Sequence, residues 1–269
     1  MAGYVCTVAG GKGGVGKTTT AIDIAAVLEA SGYDTVVVDA DLGMANLGDM
    51  LGVEGEGSIH DVLAGGATVS ETLADGPGGM TVVPGEQSLE AFAEADPAKL
   101  RKVINTLEST FDVVLVDTGA GLSHETMVPL GLADGILLVT TPDDVAVSDT
   151  VKTAEIADRV DGTVIGAILT RVTRDTDVQG IAERFEFPLL GVIPADPEAA
   201  QSEPLVVETP QSDAAEAYEQ LTAALEAVFF EGATGDELER VFEEEWFLDE
   251  EDTEDENDDG GGVFGGLFG

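Results

Sequence analysis

Positively charged residues are scarce in this chain. Its 269 residues include 11 Lys and Arg against 54 Asp and Glu, which gives a formal net charge of −43 at pH 7. Non-specific binding of DNA depends on Lys and Arg that neutralise phosphates, so this charge argues against it, and anionic lipid is repelled for the same reason. Because self-repulsion opposes compaction unless salt screens it, and the acids are spread over the whole chain, we expect a halophilic protein that works in concentrated salt.

Cysteine and long apolar runs are also lacking. Cys6 is the single cysteine and lies in an apolar stretch, where we expect it to pack in the core. One cysteine excludes a disulfide within the chain and a cysteine ligand set for a metal or cluster. No apolar run approaches the ~20 residues that span a bilayer, and no basic start followed by an apolar signal segment is visible. We therefore expect a cytoplasmic protein.

Short apolar segments alternate with amphipathic segments along the chain. The runs that read as strands are rich in Val and Ile: Tyr4–Ala9, Thr35–Asp39, Met80–Val83, Val113–Asp117, Gly135–Thr140, Val164–Leu169 and Leu189–Ile193. Helical spacing occurs in Thr18–Ala30, Pro97–Ser109, Ala146–Arg159 and Asp213–Phe230. This alternation predicts a doubly wound α/β fold with a mostly parallel sheet, whose ligands bind beyond the carboxyl ends of the strands.

The composition changes after about Phe230. From Glu231 to the end there are 16 acidic residues and one basic residue, Arg240. Repulsion between like charges and low hydrophobicity predict that the acidic run Asp249–Gly262 is disordered. We therefore expect an α/β domain over residues 1–230 and an acidic tail over 231–269, which ends in a short apolar tip.

Two of the few cations lie in a single glycine loop, GGKGGVGKTTTA, at Gly10–Ala21. Its segment Gly11–Thr18 fits the Walker A pattern, with an apolar strand before it and a helix-forming segment after it. Glycines let consecutive backbone N–H groups point at phosphates, and the N-terminus of the following helix adds partial positive charge. Lys17 can reach the β- and γ-phosphates, and the Thr18 hydroxyl can ligate Mg²⁺.

Lys12 sets this loop apart, because an ordinary Walker loop needs only the lysine before Thr18. With this second lysine the chain resembles the deviant Walker A P-loop ATPases of the MinD/ParA family, over about Ala2–Phe230, and is closest to the MinD branch. In that family the second lysine reaches the nucleotide of the partner subunit, so the resemblance implies that Lys12 acts in trans, much as an arginine finger does. The loop residues implied to bind nucleotide are Gly11, Lys12, Gly13, Gly14, Val15, Gly16, Lys17, Thr18 and Thr19.

Acids at the ends of two strands extend the resemblance. Asp39 and Asp41, in VVVDADLGMAN, fall at the switch I of the family. The resemblance implies that Asp41 orients or activates the attacking water and that Asp39 supports the Mg²⁺ region. Asn46 falls at the asparagine position of the same switch.

The second such strand ends in FDVVLVDTGAGL. Asp117 has the position of a Walker B acid, which lies near Mg²⁺ and often reaches it through water. Gly119 and Gly121 allow a mobile loop beside the γ-phosphate, as in the switch II of the family.

Later segments resemble the base-binding parts of the family. Thr170 and Arg171 stand where many relatives have Asn-Arg, and Pro194 and Asp196 belong to an Ile-Pro-x-Asp loop near the purine. No guanine motif is evident, so the resemblance implies ATP with Mg²⁺ as cofactors.

The tail tip carries four apolar side chains with i, i+3, i+4 spacing: Val263, Phe264, Leu267 and Phe268. Six glycines and the lack of Lys and Arg weaken an amphipathic helix there, by up to ~1 kcal/mol for each glycine. A weak membrane contact, docking into a protein pocket, and a tail that only aids solubility remain open alternatives.

The resemblance implies a slow, Mg²⁺-dependent ATP hydrolase that forms a homodimer with ATP. Such a switch positions cellular machinery, at the division site or in polar, motility or chemosensory structures, through a protein activator or cargo adaptor. It would be cytoplasmic, or peripheral at the membrane or cell pole. The alternatives are a ParA-like DNA or cargo partition ATPase, which needs a basic surface, and a nucleotide sensor without hydrolysis; an iron–sulfur carrier would need clustered cysteines.

Overall fold

The computed structural model describes residues 2–53, 55–121, 124–196 and 202–238. The strands are β1 Tyr4–Ala9, β2 Thr35–Ala40, β3 Ala74–Asp75, β4 Thr81–Val83, β5 Val113–Thr118, β6 Gly135–Thr140, β7 Val164–Val172 and β8 Leu189–Pro194. They form one sheet in the order β3-β4-β2-β5-β1-β6-β7-β8. The short edge pair β3 and β4 is antiparallel, and the other neighbours are parallel. The predicted doubly wound α/β fold is confirmed.

Helices connect the parallel strands. They are α1 Lys17–Ala30, α2 Leu47–Leu51, α3 Ile59–Ala64, α4 Leu89–Glu94, α5 Leu100–Leu107, α6 His124–Leu130, α7 Asp144–Arg159, α8 Val178–Ala182, α9 Leu205–Glu208 and α10 Asp213–Glu226. A single π-helical turn, Ala227–Glu231, continues α10. In the described ranges, no helix has the length and apolarity needed to cross a membrane.

Alternate residues of the central strands feed two separate cores. Val37 of β2 and Leu115 of β5 pack with α1 and α10 on one face of the sheet. Their neighbours Val36, Val38, Val114 and Val116 pack with α3 and α5 on the other face. Side chains of a strand point alternately to its two faces, so a strand covered on both sides must be apolar throughout. A third core lies between α7 and the β6–β8 end of the sheet.

The register of the sheet brings two acids together. In the β2–β5 pair, Asp39 is the partner of Asp117, and both lie at the carboxyl ends of their strands. On the other side of β5, Asp117 is the partner of Val8, two residues before the glycine loop begins at Gly10. The loop and both acids therefore meet at one edge of the sheet.

The described fold continues past the expected domain boundary, because Leu238 is buried in the same core as α10. The division at residue 230 stays a prediction. The acidic run and the apolar tip, with Val263, Phe264, Leu267 and Phe268, lie outside the described residues.

The scarce cations do little to offset the negative charge. The ion pairs Lys12–Asp143, Lys152–Asp149 and Arg184–Asp144 lie on the surface, where solvent and salt weaken such pairs. Repulsion among the remaining acids therefore acts against the folded state at low salt.

We expect the folded domain to become more stable as salt screens this repulsion. Between about 0.1 M and 1 M KCl the Debye length falls from about 10 Å to about 3 Å, so the midpoint of thermal unfolding should rise. Circular dichroism across a KCl series measures it. A variant with exposed acids neutralised, Glu94→Gln, Glu186→Gln and Glu219→Gln, should start higher and gain less from salt. A midpoint that stays constant or falls with added KCl would contradict the expectation.

Candidate functional site

Two adjoining cavities lie beyond the carboxyl ends of β1, β2, β5 and β7. The larger has a volume of about 530 Å³ and is lined by both switch segments and by the glycine loop residues Gly13, Gly14, Gly16, Lys17, Thr18 and Thr19. The second, of about 370 Å³, is lined mainly by the ends of β7 and β8 and by α10. Gly16, Thr19, Met50 and Arg171 line both cavities. We call them the phosphate cavity and the base cavity.

The glycine loop is held to the rest of the fold by its middle. Val15 is buried, and its backbone carbonyl accepts a hydrogen bond from the Thr170 hydroxyl at 2.7 Å. The same hydroxyl also donates to the Thr140 carbonyl at 3.0 Å. Gly16 then turns the chain into α1 with φ of 95°, a left-handed conformation that glycine adopts readily. The loop therefore presents its backbone to the cavity from a fixed base.

The two lysines of the loop have different surroundings. Lys17 lines the phosphate cavity and is only 7 % exposed. Lys12 lies on the surface, where its Nζ is 3.0 Å from Oδ1 of Asp143, and this hydrogen bond lowers the pKa of the Asp143 carboxyl. Asp143 also caps α7 by accepting the backbone N–H groups of Val145 and Ala146. In a single chain, Lys17 thus faces the cavity while Lys12 is bound to its own α7.

Thr18 lines the phosphate cavity and forms a polar corner with Asp117, which is buried behind it. The Thr18 hydroxyl donates to Oδ2 of Asp117 at 2.6 Å and lies 3.5 Å from Oδ1 of Asn46. Oδ1 of Asp117 is buried and has no hydrogen-bond partner among the described residues. A buried oxygen without a partner is costly, so this corner is suited to a ligand that supplies one.

The pKa of Asp117 is raised to about 8, first by burial and then by the nearby charge of Asp39. A cation at this corner would favour the charged form instead. The atoms that could ligate a metal ion here are the side-chain oxygens of Asp117, Thr18 and Asn46. Mg²⁺ takes oxygen ligands of this kind in proteins. Within the described ranges no group of three or more His, Cys, Asp or Glu is placed to hold a metal ion. Mg²⁺ commonly uses one or two carboxylates together with phosphates of a bound nucleotide.

Asp39 holds the switch I segment in place. Its Oδ1 accepts from the backbone N–H of Asp41 at 3.2 Å, and its Oδ2 accepts from those of Asn46 and Leu47, both at 3.0 Å. Its pKa is raised to about 6, mainly by burial and against the effect of these donors. All three hydrogen bonds orient the chain that carries Asp41 and Asn46. The support of Mg²⁺ by Asp39 stays a prediction.

Asp41 lines the phosphate cavity beside the switch II segment. A Cβ atom at Gly119 would lie 2.9 Å from Oδ1 of Asp41, so a larger residue there would force the carboxylate to move. Oδ1 of Asp41 also accepts the backbone N–H of Met44 at 3.0 Å. The two switch segments therefore touch at Asp41 and Gly119. Gly121, in the same turn, has φ of 97°.

All four residues expected near the base line the base cavity: Thr170, Arg171, Pro194 and Asp196. Arg171 has φ of 57°, which is uncommon for a residue other than glycine, and it lies where the pairing of β7 with β8 shifts register. The predicted strand ended at Leu169, whereas β7 continues to Val172 through this irregular stretch. Gly11 packs against Asp149 of α7, and Val15 is in the core. Neither residue lines the phosphate cavity or the base cavity.

Three acids near the cavities were not identified from the sequence. Glu203 lines the base cavity, Asp23 lies fully buried in α1, and Asp143 binds Lys12. The sequence assigns no role to any of them, since each contact depends on where a distant segment packs. The Glu203 segment directly follows residues 197–201, which lie outside the described ranges.

Several known proteins are similar to this chain in sequence or in structure. A family model described as the CobQ/CobB/MinD/ParA nucleotide binding domain matches residues 6–204. An uncharacterized ATP-binding protein of Methanocaldococcus jannaschii is 38 % identical over 226 residues, which cover 81 % of this chain and 86 % of that protein. The flagellum site-determining protein YlxH of Helicobacter pylori is 35 % identical over 142 residues, which cover 52 % of this chain and 48 % of that protein.

Among solved structures, the septum site-determining protein MinD of Pyrococcus horikoshii, complexed with Mg-ADP, superposes with a TM-score of 0.80. It is 31 % identical, and the match covers 86 % of this chain and 98 % of that one.

The raised pKa of Asp117 predicts how the stability of the magnesium-free protein varies with pH. Between the ordinary carboxyl pKa of about 4 and the folded value of about 8, the folded chain holds a proton that the unfolded chain has released. Stability should therefore fall as pH rises through this window, by up to about 1.4 kcal/mol per pH unit for this group, and level off above it. The raised pKa of Asp39 should also make stability fall as pH rises, but only below about pH 6.

The Asp117→Asn variant tests this, because it keeps the shape of the side chain and removes the titrating group. Urea unfolding in EDTA between pH 6 and pH 8 should show a steeper loss of stability in the wild type than in the variant. Equal slopes in the two proteins would show that Asp117 is already ionised at pH 6.

Proposed function

Because the chain belongs to the CobQ/CobB/MinD/ParA nucleotide-binding domain family, we propose that it is a MinD-like ATPase switch that dimerises with ATP and positions cellular machinery. The observation that carries this proposal is that Lys17, Thr18 and Asp41 line one cavity at the sheet edge, with the buried Asp117 hydrogen-bonded to Thr18. The glycine loop and the N-terminus of α1 would bind the phosphates of ATP. Mg²⁺ would be held by Thr18 and Asp117, as the oxygen donors at that corner and the Mg-ADP complex of the Pyrococcus relative suggest.

The residues of the chain would divide the work of hydrolysis. Lys17 would bind the terminal phosphates from inside the cavity, and Mg²⁺ held at Thr18 and Asp117 would supply positive charge to the phosphoryl group. Asp41 orients the attacking water, and its contact with Gly119 lets switch II follow the state of the γ-phosphate. Asp39 keeps Asp41 and Asn46 in position through its three backbone hydrogen bonds.

Dimerisation would supply the missing cation. Lys12 does not line the phosphate cavity of its own chain, and it is exposed beside Asp143, so it is available to a second copy. Two exposed apolar side chains could also meet a second copy: Met44, which lines the phosphate cavity, is 77 % exposed, and Val145 at the start of α7 is 58 % exposed. A monomer has no Lys12 from a partner at its nucleotide and should therefore hydrolyse ATP slowly. Slow hydrolysis gives the switch a long-lived ATP-bound state.

The cellular role rests on the relatives. Proteins named for determining the septum site and the flagellum site are both similar to this chain. We therefore infer that an activator or cargo adaptor reads the ATP dimer, in the cytoplasm or at the membrane or cell pole. The acidic surface suits concentrated salt and disfavours a role in DNA partition, which needs cations against phosphates.

Variants of the two lysines separate binding from dimerisation. Lys17→Ala should weaken binding of Mg-ATP by at least tenfold, because it removes the cation inside the cavity. Lys12→Ala should leave that affinity within about twofold but lower dimer formation, and reduce kcat by up to about 10³-fold. Light scattering with Mg-ATP and a phosphate-release assay measure both effects.

Lys152→Ala is the matched control, since Lys152 is also exposed and ion-paired on α7. It should behave as the wild type. If Lys12→Ala dimerises and hydrolyses ATP normally, the trans role is wrong, although the nucleotide site would stand.

Asp41→Ala should trap the ATP-bound dimer, because the attacking water loses its orienting carboxylate while the phosphate contacts remain. Light scattering followed over time should show a dimer that persists after the wild type has returned to monomer. Asp75→Ala, an exposed acid on the edge strand β3, serves as control. An Asp41→Ala protein that stays monomeric in Mg-ATP would exclude this role.

A further inference from the structure

Glu203 brings a carboxylate into the base cavity that no step of the proposed hydrolysis uses. It lies in the segment between β8 and α9 and lines the cavity together with Thr170, Pro194 and Asp196. Its Oε1 accepts a hydrogen bond from the Thr19 hydroxyl at 2.8 Å. Its Oε2 is buried and has no hydrogen-bond partner among the described residues.

The position of Glu203 is set by the helix that follows the glycine loop. Thr19 and Asp23 are four residues apart on α1, so they lie on one face of it. Thr19 binds the Glu203 side chain, and Oδ1 of the fully buried Asp23 accepts the backbone N–H of Val206 at 3.0 Å. The carboxylate is therefore held in a fixed position against the first turn of α1, in direct contact with Thr19.

Two other polar side chains of the base cavity, Thr170 and Tyr218, have hydrogen-bond partners. The Thr170 hydroxyl donates to the carbonyls of Val15 and Thr140, and the Tyr218 hydroxyl pairs with that of Thr20 at 3.0 Å. Oε2 of Glu203 is thus a hydrogen-bond acceptor without a donor among the described residues. Burial raises the pKa of Glu203, and a donor on the ligand would favour its charged form.

We propose that Glu203 selects the base of the nucleotide by accepting, at Oε2, a hydrogen bond from the exocyclic amino group of a 6-aminopurine. A single available oxygen matches adenine, whose pairing edge carries one donor group. Guanine carries two adjacent donors that need both oxygens of a carboxylate, and Oε1 is occupied by Thr19. A 6-oxopurine also places a second acceptor at the position of the amino group, which leaves Oε2 unpaired or repelled.

This inference rests on the proposed function, in that the cavity must hold a nucleotide, and its test separates the two. ADP and IDP carry the same ribose and phosphates and differ at the 6 position, where IDP has an oxo group and a proton on N1. Calorimetric titration of each Mg²⁺ diphosphate into the full chain, at high salt, gives the ratio of the two affinities. Titration with GDP, as a third probe, measures the affinity for a base whose pairing edge carries two donor groups.

We expect the wild type to prefer ADP over IDP and over GDP by at least about tenfold, the range for a hydrogen bond to a charged group. Glu203→Gln should reduce this preference by about tenfold, because the amide can turn its N–H₂ toward a 6-oxo group. Glu219→Gln removes an exposed acid of α10 and should leave the ratio unchanged.

A purely structural role for Glu203 would lower both affinities together and leave their ratio as in the wild type, which would overturn the inference. So would a wild type that binds ADP and IDP equally, or one that prefers GDP, while the proposed function would survive either result. A wild type that binds no diphosphate would overturn the proposed function and this inference with it.

Discussion

The hydrogen bond from Thr18 to Asp117 joins the glycine loop to the end of the central strand β5, and the site is arranged around it. The register of the parallel sheet places Asp117 between the end of β1 and Asp39 of β2. Burial then leaves one oxygen of Asp117 without a partner and raises its pKa to about 8. Packing of the sheet thus creates an electrostatic cost in the free protein, which a bound cation would relieve.

Helix α1 extends this arrangement from the phosphates to the base. Its N-terminus lies at the glycine loop, Thr18 reaches Asp117, and Thr19 binds Glu203 one residue later. Asp23 holds the chain after Glu203 from the next turn. Because these residues share one helix, a shift of the glycine loop would move residues that line both cavities.

Much of this could be predicted from the sequence. The seven apolar runs became strands, because a strand buried on both faces must be apolar throughout, and β1 and β6 kept their predicted limits. Asp39, Asp41 and Asp117 were identified because they lie at the ends of predicted strands, at the switch I and Walker B positions of the family that the sequence resembles. The two-residue strand β3 was missed, and so were the short helices α2, α3, α4, α6, α8 and α9, since four to seven residues carry too little periodicity.

The sequence could not reveal contacts that depend on distant segments. Glu203 and Thr19 are 184 positions apart, and Lys12 and Asp143 are 131 apart. Lys12 was expected to serve a partner, and in the single chain it is bound to α7 instead, so the proposed dimer must first break that ion pair.

The account depends most on the claim that Thr18 and Asp117 hold the magnesium ion of a bound nucleotide. Titration of a fluorescent ADP analogue, with Mg²⁺ and then with EDTA, tests it in the wild type and in Thr18→Val, which keeps the shape of the side chain. We predict that Mg²⁺ tightens binding by at least about tenfold in the wild type, and that Thr18→Val loses most of this effect, since oxygen ligands determine the affinity for this ion. Equal affinity with Mg²⁺ and with EDTA in the wild type, or a Thr18→Val variant that keeps the full magnesium effect, would contradict the account.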